Sequence, residues 1–335
     1  MECLLIDTKK MFDRIREVSC LEQPIRLKDN GQINVVLNTV KRGEVSPNPS
    51  IETVKQPKHE LLIEIEDQLR HLIGMEEIKK MIHEIYAWIF INKKREELSL
   101  KAEKQVLHML FKGNPGTGKT TVARIIGQLF LKMGVLSKGH LIEAERADLV
   151  GEYIGHTAQK TRDLVKKANG GILFIDEAYS LGRGGEKDFG KEAIDTLVKH
   201  MEDKHGDFVL ILAGYSSEMD YFLSLNPGLK SRFPFILEFQ DYSVKELLDI
   251  SKKMFVDREY ILSREAEYRL RDFIQKAKLE NRAHFSNGRF VRNIVEKSIR
   301  TQATRLVFET EFNREILMRI EEKDLFTSDK IDSIN

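Results

Sequence analysis

The stretch Gly113-Asn-Pro-Gly-Thr-Gly-Lys-Thr-Thr121 constrains this chain more than any other, because it follows an apolar run at 106–111 and opens a helical pattern at 121–133. It fits GxxxxGK[ST] in full, and strand–loop–helix is the setting in which that spacing works. Glycines at 113, 116 and 118 allow the backbone to curl until successive N–H groups face inward. Those groups, with the start of the helix behind them, form a nest for phosphate oxygens. The motif therefore assigns Gly113, Asn114, Pro115, Gly116, Thr117, Gly118, Lys119, Thr120 and Thr121 to nucleotide binding. Lys119 is expected to set its ammonium between the β- and γ-phosphates of ATP, and the Thr120 hydroxyl to ligate Mg²⁺.

A second signal lies about 50 residues downstream, at Gly171-Ile-Leu-Phe-Ile-Asp-Glu177. Four apolar residues make a central strand that carries two acids to its carboxyl end, beside the phosphate loop. Asp176 is expected to hold Mg²⁺, directly or through water, and Glu177 to orient and polarise the attacking water. An N-cap pair after a buried strand is the structural alternative.

Alternation of apolar runs with amphipathic segments continues around these motifs. Strands are predicted at 140–144, 172–175, 208–212 and 235–239, with helices at 156–168, 190–202 and 217–225 between them. The pattern implies a doubly wound parallel sheet with ligand at the carboxyl ends of its strands. Residues 172–175 lack polar alternation, as befits a strand covered on both faces. Before the loop, a turn at Ile73-Gly74 precedes a helix at 75–97. From 243 the pattern is wholly helical, at 243–256, 263–278 and 289–307, and Ser243-Val-Lys-Glu246 reads as a capping box. Residues 1–58 are weakly patterned, with a candidate hairpin strand at 32–37 and a proline-bearing linker at 43–59. The expected division is an N-terminal extension at 1–58, a nucleotide-binding α/β domain at 59–241, a small all-α domain at 242–325 and a tail at 326–335.

Charge and composition narrow the class of partner. The 54 basic and 53 acidic residues argue against a surface built over the whole molecule for a polyanion, so nucleic acid is not prompted. The two cysteines, Cys3 and Cys20, make no CxxC pair, and the nine histidines no HExxH pair, which leaves no zinc or disulfide pattern. The longest strongly apolar run, 86–91, is far short of a membrane span, and residues 1–20 lack the apolar core of a signal peptide. A reducing cytoplasm is the expected location.

The Asp-Glu pair after a phosphate loop, with a helical domain after the sheet, resembles the AAA+ ATPases. The segments 72–75, 108–121, 139–161, 171–181, 212–215, 226–234 and 285–293 are similar in particular to the CbxX/CfqX family, and together they span most of 61–310. That resemblance implies hexameric rings with ATP at each subunit boundary, a protein substrate, and a helical lid. It implies that Arg232 is a finger reaching the γ-phosphate of a neighbouring subunit. Arg289 becomes the second sensor, with Arg292 one turn on as the other assignment. Where many members carry a polar Asn as first sensor this chain reads Ala213-Gly-Tyr-Ser216, so Tyr215 or Ser216 takes the role. Tyr153, Ile154 and Gly155 resemble the pore loop that grips substrate chains, with Gly151 and Gly155 letting it swing. Ile73 and Gly74 match the base-contacting stretch. The family further implies a remodelling ATPase serving spore development. The alternatives are rubisco activation, a nucleotide-switched scaffold, and a clamp-loader-like enzyme acting on nucleic acid.

Overall fold

The phosphate-loop strand is an inner member of its sheet. A computed structural model describes residues 60–102, 106–153, 155–183, 188–203, 206–225, 227–280 and 285–325, all within one compact unit, Lys58–Asn335. The expectations for residues 1–58, for Ile154 and for the tail at 326–335 lie outside these residues. Five parallel strands, β1 (Met109–Gly113), β2 (Leu141–Ala144), β3 (Ile172–Ile175), β4 (Val209–Gly214) and β5 (Phe235–Phe239), stand in the order β2-β3-β4-β1-β5. Phe111 is level with Ala213 of β4 and Leu237 of β5, and Ile175 with Leu212, so the turns after β1, β3 and β4 emerge side by side.

Strand alternation sends successive residues into two separate cores. Met109, Phe111, Ile172, Phe174 and Ile211 pack with α1 (Glu60–Arg70), α2 (Glu76–Glu97) and α3 (Lys119–Lys132). Leu110, Leu173, Ile175, Leu210 and Leu212 face α5 (His156–Lys167), α6 (Gly190–Asp203), α7 (Ser216–Leu225) and α8 (Pro227–Lys230). Both faces are covered, which is why the inner strands carry no polar alternation. A four-residue helix, α4 (Arg146–Leu149), follows β2 and is closed by a reciprocal box between Glu145 and Asp148.

The lid packs α9 (Val244–Val256), α10 (Arg264–Glu280) and α11 (Asn287–Leu306) around Leu247, Phe255, Leu270, Ile274, Phe290 and Ile294. It departs from the wholly helical expectation in one place. Residues Ile261–Leu262 (β6) pair in parallel with Arg319–Ile320 (β7), which follows a short helix, α12 (Arg314–Met318). The Ser263 N–H extends that pairing to the Ile320 carbonyl at 2.9 Å, and Ile320 is fully buried beneath it. Met75, in a left-handed conformation at the head of α2, packs against both the sheet core and the lid core.

Candidate active site

The loop after β1 is tight because another element lies against it. A Cβ on Gly116 would sit 2.2 Å from the Ser286 carbonyl of the lid, and the residue has φ +70°, so only glycine serves there. Gly288 N–H donates to the Gly116 carbonyl at 3.0 Å, and the Tyr242 hydroxyl to the Thr117 carbonyl at 3.2 Å. Thr117 is buried and its own hydroxyl donates to the Asn114 carbonyl at 2.8 Å, so that side chain closes the loop on itself. Lys119 opens α3 and donates from Nζ to the Gly113 and Asn114 carbonyls, each at 2.8 Å. Burial lowers its pKa and Arg289 lowers it further, while Asp176, Asp241 and Glu177 pull it back up. The ammonium thus feels both acids of the second motif and the arginine of the lid.

Asp176 and Glu177 leave β3 at its carboxyl end. Glu177 has φ 47° and ψ 41°, a left-handed conformation that costs a residue with a side chain about 1–3 kcal/mol. Asp176 Oδ1 accepts the Glu177 N–H at 3.0 Å. The Glu177 side chain makes no cap on the tight turn Ala178–Gly182 that follows, and is exposed. The N-cap alternative is thereby excluded for Glu177. Its charge also helps to raise the Tyr179 hydroxyl to about 12, after burial as the main cause.

A cleft of about 590 Å³ joins these pieces. Its phosphate end carries Lys119, Thr120, Thr121, Asp176, Glu177, Tyr215, Arg289 and Arg292. The loop backbone at Gly113, Pro115, Gly116 and Gly118 completes that end. Tyr215 lines it and Ser216 does not, so of the two first-sensor candidates the tyrosine faces the cleft. Arg289 and Arg292 both reach it. The other end carries Leu72, Ile73 and Met75 on one side and Ile250 and Met254 of the lid on the other, together with His71, Lys253 and Asp257. Ile250 and Met254 did not stand out in the sequence, although their i, i+4 spacing marks one helix face.

Three expected residues are elsewhere. The Asn114 side chain turns from the cleft and donates to both carboxylate oxygens of Asp241 at 3.0 Å. Arg232 lies outside the cleft, its Nε donating to Glu202 Oε1 at 2.9 Å and its Nη1 to the Gly228 carbonyl. Tyr153 is 66% exposed and meets the His156 ring edge-on at 5.4 Å. Gly155 beside it has φ +82° and open space around it. Gly151 is different from expectation. It is buried, its N–H donates to Thr157 Oγ1 at 2.9 Å, and a Cβ would strike His156 at 2.5 Å, so it anchors the loop and lends it no swing.

A parallel sheet ordered in this way, with a phosphate loop, an Asp-Glu pair and a helical lid around one cleft, defines an AAA ATPase. Residues 109–241 match the ATPase family associated with various cellular activities (AAA), and residues 243–333 match the AAA lid domain. Stage V sporulation protein K of Bacillus subtilis is 63% identical over 313 residues, covering 91% of this chain and 97% of that protein. Protein CbbX of Cereibacter sphaeroides is 46% identical over 72% of this chain and 78% of its own length. The chloroplastic ribulose bisphosphate carboxylase/oxygenase activase of Cyanidioschyzon merolae is 45% identical over 72% of this chain and 82% of its own. The chain belongs to the CbxX/CfqX family of AAA ATPases and is a sporulation-protein homologue that binds and hydrolyses ATP.

Proposed function

We propose that the chain is a ring-forming, protein-remodelling ATPase with a role in bacterial spore development. The observation that carries this reading is that one cleft is lined by the sheet and by the lid together, so a bound nucleotide touches both. ATP lies with its base between Ile73 and Met254 and its phosphates on residues 113–121. Thr120 and Asp176 would hold Mg²⁺, which neutralises phosphate charge. No cluster of three or more His, Cys, Asp or Glu side chains suited to a metal occurs among the described residues. A single carboxylate with a hydroxyl suits Mg²⁺, which takes its remaining ligands from phosphate and water.

Glu177 accepts a proton from the attacking water as its oxygen bonds to the γ-phosphorus. The bond from that phosphorus to the β-γ bridging oxygen breaks, giving ADP and phosphate. Tyr215 orients the water. Arg232 of one subunit serves its neighbour's site, a role its position outside its own cleft supports. Arg289 couples loss of the γ-phosphate to the lid, and the exposed Tyr153, with Ile154 and Gly155, grips a protein chain as the ring hexamer works. Sporulation is favoured over rubisco activation by 63% identity against 45%. Among the described residues no helix is long and apolar enough to cross a membrane, and a cytoplasmic location accords with that.

Glu177→Gln in the full chain tests the reading. ATP binding persists, turnover drops by about a hundredfold or more, and a protein substrate stays bound for identification. Undiminished hydrolysis would remove Glu177 as the base.

A further inference from the structure

Sheet and lid are joined by three side chains that do not line the ATP cleft. Asp241 lies in the short connection between β5 and α9. Its two oxygens accept from Asn114 Nδ2 at 3.0 Å each, and Oδ1 also accepts from Asn287 Nδ2 at 2.7 Å. Asn287 is the first residue of α11 and is fully buried, with φ 44°. Its Oδ1 accepts the Tyr242 N–H at 3.1 Å, and its Nδ2 also donates to the Phe285 carbonyl at 2.9 Å. Arg289 stands two residues further along the same helix. One carboxylate therefore carries a donor from the phosphate loop and a donor from the head of the helix that bears Arg289. The head of that helix also meets the loop directly, Gly288 N–H donating to the Gly116 carbonyl at 3.0 Å and Asn287 Nδ2 to the Pro115 carbonyl at 3.5 Å, so the arm through Asp241 stands beside a direct one. Breaking either contact of Asp241 strands an amide or a carboxylate that is at least half-buried, which proteins rarely tolerate.

We propose that Asp241 is a positioning residue that ties the shape of the phosphate loop at residues 114–117 to the angle of the lid, so that lid closure and loop setting occur as one event. This deepens, and rests on, the reading of Arg289 as the link between nucleotide and lid. Asn114, expected from its motif to touch nucleotide, serves this joint through its side chain and offers the nucleotide only its backbone.

The test uses the full chain with Cys3→Ser and Cys20→Ser, and a donor–acceptor dye pair at Lys166→Cys and Arg300→Cys, both exposed positions on the sheet unit and the lid. Wild type should change its energy transfer when ATP is added. Asp241→Asn keeps the shape but has one acceptor oxygen where two donors converge. It should hold KM for ATP within about threefold, lower kcat by about tenfold and lose most of the transfer change. If Asp241→Asn does not fold, Asn114→Ala cuts the loop arm alone and should give the same split between KM and kcat.

A transfer change and kcat that survive intact in Asp241→Asn overturn the joint and leave the lid reading standing. Asn114→Ala with kcat and transfer change at the wild-type level also overturns it. A wild type with no ATP-driven change overturns the lid reading itself.

Discussion

Lys119 is pulled in two directions. Burial and the Arg289 charge disfavour its protonated form, while a triphosphate on the loop favours it. Its pKa in the free protein lies below the ordinary lysine value, and ATP raises it. Binding ATP therefore takes up a proton at alkaline pH. Affinity is complete below the depressed pKa and is lost as pH rises through it, earlier than for an ordinary lysine. Calorimetric titration of the Glu177→Gln chain with ATP from about pH 7 to about pH 11 should follow that fall, and a profile flat throughout would mean that the Lys119 charge is not used. Gly116 is a steric counterpart. Gly116→Ala forces a Cβ against the Ser286 carbonyl at a left-handed φ, so it should destabilise the chain by about 1–3 kcal/mol and weaken ATP binding. A melting curve and a binding curve matching wild type would contradict the close approach of lid to loop. Glu177 shares that left-handed region, at φ 47° and ψ 41°.

At the scale of elements, Ser243 heads α9 with Oγ accepting the Glu246 N–H at 3.2 Å while Glu246 Oε2 accepts the Ser243 N–H at 2.7 Å. Ser243→Ala should cost about 1 kcal/mol, read as a lower melting temperature with ATP turnover retained. That box was legible because capping is local chemistry. So were β3 at 172–175 and β5 at 235–239, which match the expected strands to the residue. β2 begins one residue later than expected, β4 begins one later and ends two later, and β1 begins three residues into its apolar run and ends two beyond it. The misses share a physical reason. Arg146–Leu149 is too short for a helical period to develop, and the pairing of Ile261–Leu262 with Arg319–Ile320 joins residues far apart in sequence with no local trace. Within the site, the loop and Asp176-Glu177 could be read because each motif is contiguous. Ile250 and Met254 could not, since periodicity gives a helix its apolar face without saying which neighbour that face meets. Nor could the turn of Asn114 towards Asp241, which depends on where α11 begins.

The whole molecule presents a site that one subunit leaves incomplete on the proposed reading. Arg232 is held by Glu202 of its own chain and is partly exposed. If each boundary of a ring needs one such arginine, mixing Arg232→Ala subunits into wild type should lower ATPase activity in proportion to their fraction. An unchanged rate at every ratio would assign the finger elsewhere. Within a single subunit, the base end of the cleft has Ile73 and Met75 from the segment before the sheet and Ile250 and Met254 from the lid. On the proposed reading, a purine seated there is wedged between that segment and the lid, much as a coin is held between finger and thumb. Its release would then require the lid and that segment to part. On that reading, how long ADP dwells, and so how often the cycle restarts, is set by the packing of the lid more than by the phosphate loop that first gave the nucleotide away.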